Sequence, residues 1–295
     1  MSSADLDSAC AAAQSPAPPE GDPFSPQAVA PSPGASTAAD SSFTAVNVDT
    51  TTPDTAHSLS LDESHPSDLA FTWKITQKIS ERSVPLTQQD VDMGCGSPMA
   101  VGKFLCCLAD SPTRTAFMRV YYRIPIIGTE DTDVSTLAEQ VQPSEVCGEY
   151  EAFKLLTRRG CSSVPRFYGY CERKQGESDL VPGGYIKFVV WEKVPGESLT
   201  REYFWNLDFT AREEILVRFR AAYEDFIRCG VKPQMCEISK IIYDKKSGNI
   251  LISGFRRGWP ILDKLEWSDT RYVEYGLARP HDDRDWASHP EKWEY

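Results

Sequence analysis

Regular patterning of apolar and polar positions begins only near Leu69. From there LAFTWKITQKIS (69–80) is aromatic and β-branched with partial alternation, which predicts a strand. VGKFLCCLAD (101–110) and TAFMRVYYRI (115–124) predict an antiparallel hairpin, with SPTR (111–114) as its turn. Residues 126–143 are acidic and irregular and predict a surface loop. SEVCGEYEAFKLLTRRG (144–160) predicts a helix: Val146, Tyr150, Phe153 and Leu156 recur at helical spacing, and Gly160 supplies the stop. VPRFYGYCE (164–172) and YIKFVVWEKV (185–194) predict a second strand pair, closed by a turn at PGESL (195–199).

The longest predicted helix is FTAREEILVRFRAAYEDFIRCG (209–230). Thr210 and Glu213 form an expected capping box, Ile215, Phe219, Ala222, Tyr223 and Phe226 form one apolar face, and Gly230 ends the helix. Two short strands follow, ISKIIYD (238–244) and NILISGF (249–255). The last forty residues show little periodicity and are expected to be pinned by Trp259, Trp267, Trp286 and Trp293. Strands, helix, strands, long helix and paired strands in this order predict an α+β fold with one sheet-rich and one helical half.

Composition separates the chain into two parts. Residues 1–66 contain no Lys or Arg but nine acidic residues, and are dominated by Ala, Ser, Pro and Thr. Such a stretch buries too little apolar surface to offset the entropy of ordering it, so a disordered acidic tail is expected there. It carries about three quarters of the net charge of −12, leaving 34 acidic against 31 basic residues in 67–295. A nearly neutral folded part offers no concentrated basic patch, so neither nucleic acid nor an anionic membrane is expected as a partner. No window is long and apolar enough to span a bilayer, and the start lacks the pattern of a secretory or transit peptide. The expected location is intracellular, in cytoplasm or nucleus. The nine cysteines include no C-x-x-C pair and the four histidines lie elsewhere, so reduced thiols and no metal site are expected.

Three segments carry a resemblance. AFMRVYYRIP (116–125), VPGGYIKFVVWEKVPGESL (181–199) and YGLARPHDDRDWASHPEKWEY (275–295) resemble the protein-kinase-like superfamily on its aminoglycoside-phosphotransferase side, in the style of short fungal kinase-like proteins. The resemblance implies a two-lobed protein-kinase-like fold across 67–295. A small antiparallel-sheet N-lobe would span about 67–194 and a reduced helical C-lobe about 195–295.

Phosphoryl transfer is chiefly charge management: a cation on the phosphates, an Asp near the attacking hydroxyl, and an Asn plus a second Asp on magnesium. Residue by residue, the resemblance implies Arg119 at the strand position of the ATP-binding lysine. Its helix partner would be Glu149, or Glu151 if the register slips. Arg keeps the charge, but its planar fork differs from an ammonium point charge. The family's catalytic loop reads close to G-[IV]-x-H-x-D-x-x-x-x-N-[IV]; here GVKPQMCEISKI (230–241) aligns without a gap. Pro233 replaces the His, Met235 the catalytic Asp and Lys240 the metal-binding Asn. A thioether accepts no hydroxyl proton, and an ammonium repels Mg²⁺. Gly254 stands where the second magnesium ligand would precede Phe255. Glu237 is the one nearby substitute base, although a solvated loop glutamate is its ordinary reading. Gly94-Cys95-Gly96 lacks the spacing of a phosphate loop.

Two functions follow from these losses. The first is a degenerate, pseudokinase-type module that binds or scaffolds a protein or small molecule. The second is a divergent ATP-dependent small-molecule phosphotransferase using Arg119 and Glu237. The lost groups argue against catalysis. ATP is the one cofactor the resemblance leaves open, and magnesium is not expected.

Overall fold

The computed structural model describes residues 42–45 and 71–295, apart from 144–145, 234, 256–258, 261–265 and 282–283. The tail expected over 1–66 lies outside the described residues except for Ser42–Ala45 (β1). That short strand pairs antiparallel with the start of Phe71–Val84 (β2). The chain continues through Gln88–Asp92 (α1), Met99–Leu108 (β3), Ser111–Arg123 (β4), Val134–Glu139 (α2), Gly148–Arg158 (α3), Phe167–Lys174 (β5) and Tyr185–Glu192 (β6). These strands form one sheet in the order β1-β2-β3-β4-β6-β5, with every neighbouring pair antiparallel.

The remainder comprises Glu197–Ser198 (β7), Arg201–Trp205 (α4), Phe209–Arg228 (α5), Val231–Lys232 (β8), Ile241–Tyr243 (β9), Ile250–Ile252 (β10), Trp259–Pro260 (β11) and Thr270–Glu274 (α6). Two small sheets, β10-β9-β7 and β11-β8, lie in this part. The architecture is therefore α+β. No helix among the described residues is long and apolar enough to cross a membrane.

Alternation along β4 sorts its side chains. Ala116 and Met118 are buried on one face with Trp73, Cys106, Phe188 and Val190. Phe117, Arg119 and Tyr121 take the other face, toward α3 and the second half of the chain. The main core runs from that face through Phe153 and Leu156 of α3 into α5, where Ile215, Phe219, Ala222, Tyr223 and Phe226 are all buried. Burying each large side chain contributes roughly 1.5–3 kcal/mol. The aromatic end of the chain closes over this core: Trp267 packs on Phe219 and Tyr223, while buried Trp293 donates its indole N–H to the carbonyl of Trp286 at 2.8 Å.

Local expectations are corrected at several points. The β3–β4 turn is Ala109–Asp110, not SPTR, which belongs to β4. Pro112 is tolerated because β4 pairs with β6 only from Ala116 onward. The stretch expected to be a loop contains α2, whose start is capped by the Asp133 carboxylate. Val146 precedes α3 and is 69% exposed, so it is no part of the helix's apolar face. Within PGESL, Glu197 and Ser198 pair with β9 instead of merely closing the preceding strands. Gly196 makes that approach feasible: its φ is +95°, and a Cβ there would lie 2.6 Å from the Tyr243 carbonyl oxygen.

The cap of α5 is also moved. Asp208, not Thr210, is the N-cap, and its carboxylate accepts from the Ala211 N–H at 2.9 Å. Asp208→Ala is expected to cost about 1 kcal/mol, seen as a lower urea midpoint at unchanged slope. Thr210→Ala should leave the midpoint in place.

Candidate functional site

A cleft of about 630 Å³ opens between the sheet and the segment that follows α5. Cross-strand register builds its sheet wall. Lys103 of β3, Arg119 of β4 and Val189 of β6 stand in one row; Leu105, Phe117 and Trp191 form the next. The Arg119 guanidinium reaches Glu149 on α3 in an ion pair, and the Tyr121 hydroxyl donates to the other Glu149 oxygen at 2.8 Å. Glu149 is only 3% exposed and Arg119 16%. Burial by itself would lower the Arg119 pKa, but Glu149 and Tyr121 more than offset this and raise it. Glu151, the other candidate partner, instead lies 3.8 Å from Lys154 away from the cleft. Helical geometry explains the choice, since Glu149 shares its face with Phe153 and Leu156 at i+4 and i+7.

The opposite wall carries Met235, Ser239, Lys240, Ser253, Gly254 and Phe255. Lys240 ends a short 3₁₀ turn, Ile238–Lys240. Its carbonyl accepts from Ser253 twice, from the backbone N–H at 2.8 Å and from the hydroxyl at 3.0 Å. This clamp lays the lysine stem across Gly254. A Cβ built at Gly254 would fall 2.8 Å from Lys240 Cδ and 3.1 Å from its Cγ, and the backbone there has φ +94°. Lys240 and Gly254 are thus fitted to each other: an ammonium-bearing chain occupies the space that a carboxylate at 254 would need.

Five of the residues singled out from the sequence therefore line one cavity: Arg119, Glu149, Met235, Lys240 and Gly254. Pro233 is buried and does not line the cleft, and neither does Glu237, 57% exposed. Glu237 accepts from Ser239 at 3.1 Å and lies 3.4 Å from Lys240; these contacts, Ser239 first, lower its pKa. That is the opposite of what a base poised near neutrality requires. Gly94 and Gly96 follow α1 with positive φ, and neither lines the cleft. Asp244 sits in the β9–β10 turn, where it accepts from Ser247 at 2.6 Å.

One cleft residue escaped the sequence reading. Lys103 projects from β3 with its Nζ 4.1 Å from the Phe117 ring centroid and 6.0 Å from that of Trp191. Burial lowers its pKa, and the Arg119 charge pushes the same way. The available signal was its place between apolar Val101 and Leu105 at period two. Its pairing with Arg119 depends on register and is not local.

Among the described residues a second cluster, Cys161, Asp225 and Cys229, offers metal-ligand atom types. One Asp225 oxygen already accepts from the backbone N–H and hydroxyl groups of Ser162 and Ser163, and the other pairs with Arg228. Burial pushes the Cys161 thiol up, away from the thiolate a metal would need. The cluster clamps the loop after α3 to the end of α5.

No family model matches the chain, and no curated protein matches it. Among solved structures it is similar to the kinase PK-1 of Cydia pomonella granulovirus, with a TM-score of 0.39 and 10% sequence identity. The match covers 68% of this chain and 60% of that one, so the chain spans less than two thirds of the viral kinase's length.

Proposed function

We propose that residues 67–295 form a two-lobed kinase-like module that binds a ligand or partner and does not transfer phosphate. In this reading the sheet with α3 is the small lobe, to about residue 194. The part from about 195 is a reduced helical lobe, and the cleft lies between them. Support for the scaffold comes from the buried Arg119–Glu149 pair on β4 and α3 facing the loop after the long helix. The observation that carries the loss of catalysis is the Lys240 stem lying across Gly254. Magnesium does not fit there. A hard divalent cation needs carboxylate or comparable oxygen ligands, and this wall presents an ammonium, a thioether, two serine hydroxyls and bare backbone, with no carboxylate among its described residues.

The alternative, a divergent phosphotransferase relying on Arg119 and Glu237, is less well supported, because Glu237 is solvated at the cleft rim and already engaged by Ser239 and Lys240. Purified protein is expected to release no γ-phosphate from ATP above a blank with Mg²⁺ or Mn²⁺. Turnover that Arg119→Ala abolishes would sink the proposal. Gly254→Asp should confer no activity and should lower stability by about 1–3 kcal/mol, through φ strain and contact with Lys240. A gain of turnover in that variant would contradict the fit described above.

A further inference from the structure

Resting on that reading of the cleft, we propose that it holds a phosphate-bearing anion without a divalent cation, gripped by the ammonium groups of Lys103 and Lys240. Four cationic side chains line the cleft, Lys103 from β3, Arg119 from β4, Lys240 from the 3₁₀ turn before β9 and the exposed Lys193 after β6, against the carboxylates of Glu149, Glu192 and Glu197. Glu197 is exposed, and Glu192 accepts from the Arg166 N–H at 3.2 Å. The cleft's inner carboxylate, Glu149, is fully engaged, one oxygen with Arg119 and the other with Tyr121. Lys240 has a partner in Glu237, but that carboxylate is exposed at the rim, where such a pair contributes little.

Lys103 has no carboxylate of its own. Among the described residues its ammonium makes no ion pair or hydrogen bond and rests on aromatic faces. It stands directly opposite Arg119 in the antiparallel ladder, and like charges so placed repel. The Phe117 contact explains where the lysine stem lies. It does not balance the charge, whereas a multiply charged anion would.

The geometry also favours phosphate groups over a flat base. Lys103 covers the Phe117 ring, and the Arg119 guanidinium lies 5.0 Å from the Trp191 centroid, so both aromatic faces already carry a cation. Two lysine ammoniums act as point charges suited to phosphate oxygens. Lys240, placed where the resemblance puts a metal ligand, supplies positive charge that would otherwise come from the ion.

The test is calorimetric titration of the full chain with inorganic pyrophosphate in EDTA, repeated with Mg²⁺, with ATP and with adenosine. Metal-free binding that Lys103→Gln and Lys240→Gln each weaken about ten-fold is expected, as for loss of one charge-assisted contact. These substitutions keep most of each stem, and the unfolding midpoint of each variant checks that it is folded. ATP binding tighter than pyrophosphate would identify a nucleotide as the source, and equal affinity a small phosphate ester; either retains the charge mechanism. No pyrophosphate binding, binding only with Mg²⁺, binding indifferent to both substitutions, or adenosine binding as tightly as ATP would overturn it. The outcome is independent of the turnover assay: phosphate release tests the loss of catalysis, and metal-free affinity tests the anion site.

Discussion

Glu149→Ala is expected to destabilise the protein by about 3–5 kcal/mol, as removal of one member of a buried ion pair does. The charge left behind is the buried Arg119 guanidinium, with the like charge of Lys103 directly across the ladder. Arg119→Ala should cost markedly less. Glu149 would keep the Tyr121 hydroxyl, and Lys103, already within its electrostatic reach, can turn toward it. The measurement is urea unfolding of both single variants and of each combined with Lys103→Gln. Removing Lys103 should soften the Glu149→Ala loss and worsen that of Arg119→Ala. Equal losses for the two single variants would show that Lys103 is electrostatically uninvolved.

Phe255→Ala is expected to cost a similar amount, about 3–5 kcal/mol, because truncating a fully buried aromatic leaves a cavity. Phe255 joins the two halves of the core. Its ring stacks on Phe226 of α5 and meets Phe153 of α3 edge-on, both at 5.3 Å between centroids, and Phe153 in turn stacks on Phe167 and Trp191. Phe255→Leu, which retains most of the volume, should lose under about 1.5 kcal/mol. Because Phe255 lines the cleft next to Gly254, over which the Lys240 stem lies, the alanine variant should also weaken pyrophosphate binding. Full affinity in a destabilised Phe255→Ala protein would show that the cleft wall is held by other contacts. Thermal unfolding and calorimetry on the same samples separate the two effects.

Most of the regular elements were legible as periodicity. The two hairpin-forming strand pairs, α3 and α5 have apolar positions repeating at two or 3.6 residues, and burial follows those positions from Ile215 to Phe226 without exception. Short elements were not legible. Helices α2 and α6 have six and five residues, too few for a period to emerge, and α2 depends on one Asp133 cap. Thr210 was expected to cap α5, and Asp208, two residues earlier, caps it instead.

Side-chain chemistry was legible where a residue type excludes a role. Met235 cannot accept a proton and Lys240 cannot ligate magnesium, whatever surrounds them. The partnership of Arg119 with Glu149 rather than Glu151 was nearly so, because a helix presents only one of the two to the face that buries Phe153 and Leu156. Lys103 was hidden, since a lysine between two apolar residues looks the same on a solvated sheet face as in a cleft.

Local periodicity and residue identity thus determined which longer segments become strands and helices, and which side-chain chemistry each position can offer. Tertiary structure alone decided that Lys103 faces Arg119 and that the Lys240 stem closes over Gly254. The reason is sequence separation: these contacts join residues 16 and 14 positions apart through strand register and a backbone clamp, and no local propensity encodes either. That Lys103 and Lys240 share one cleft is a property of that convergence, so it becomes visible only when the walls meet.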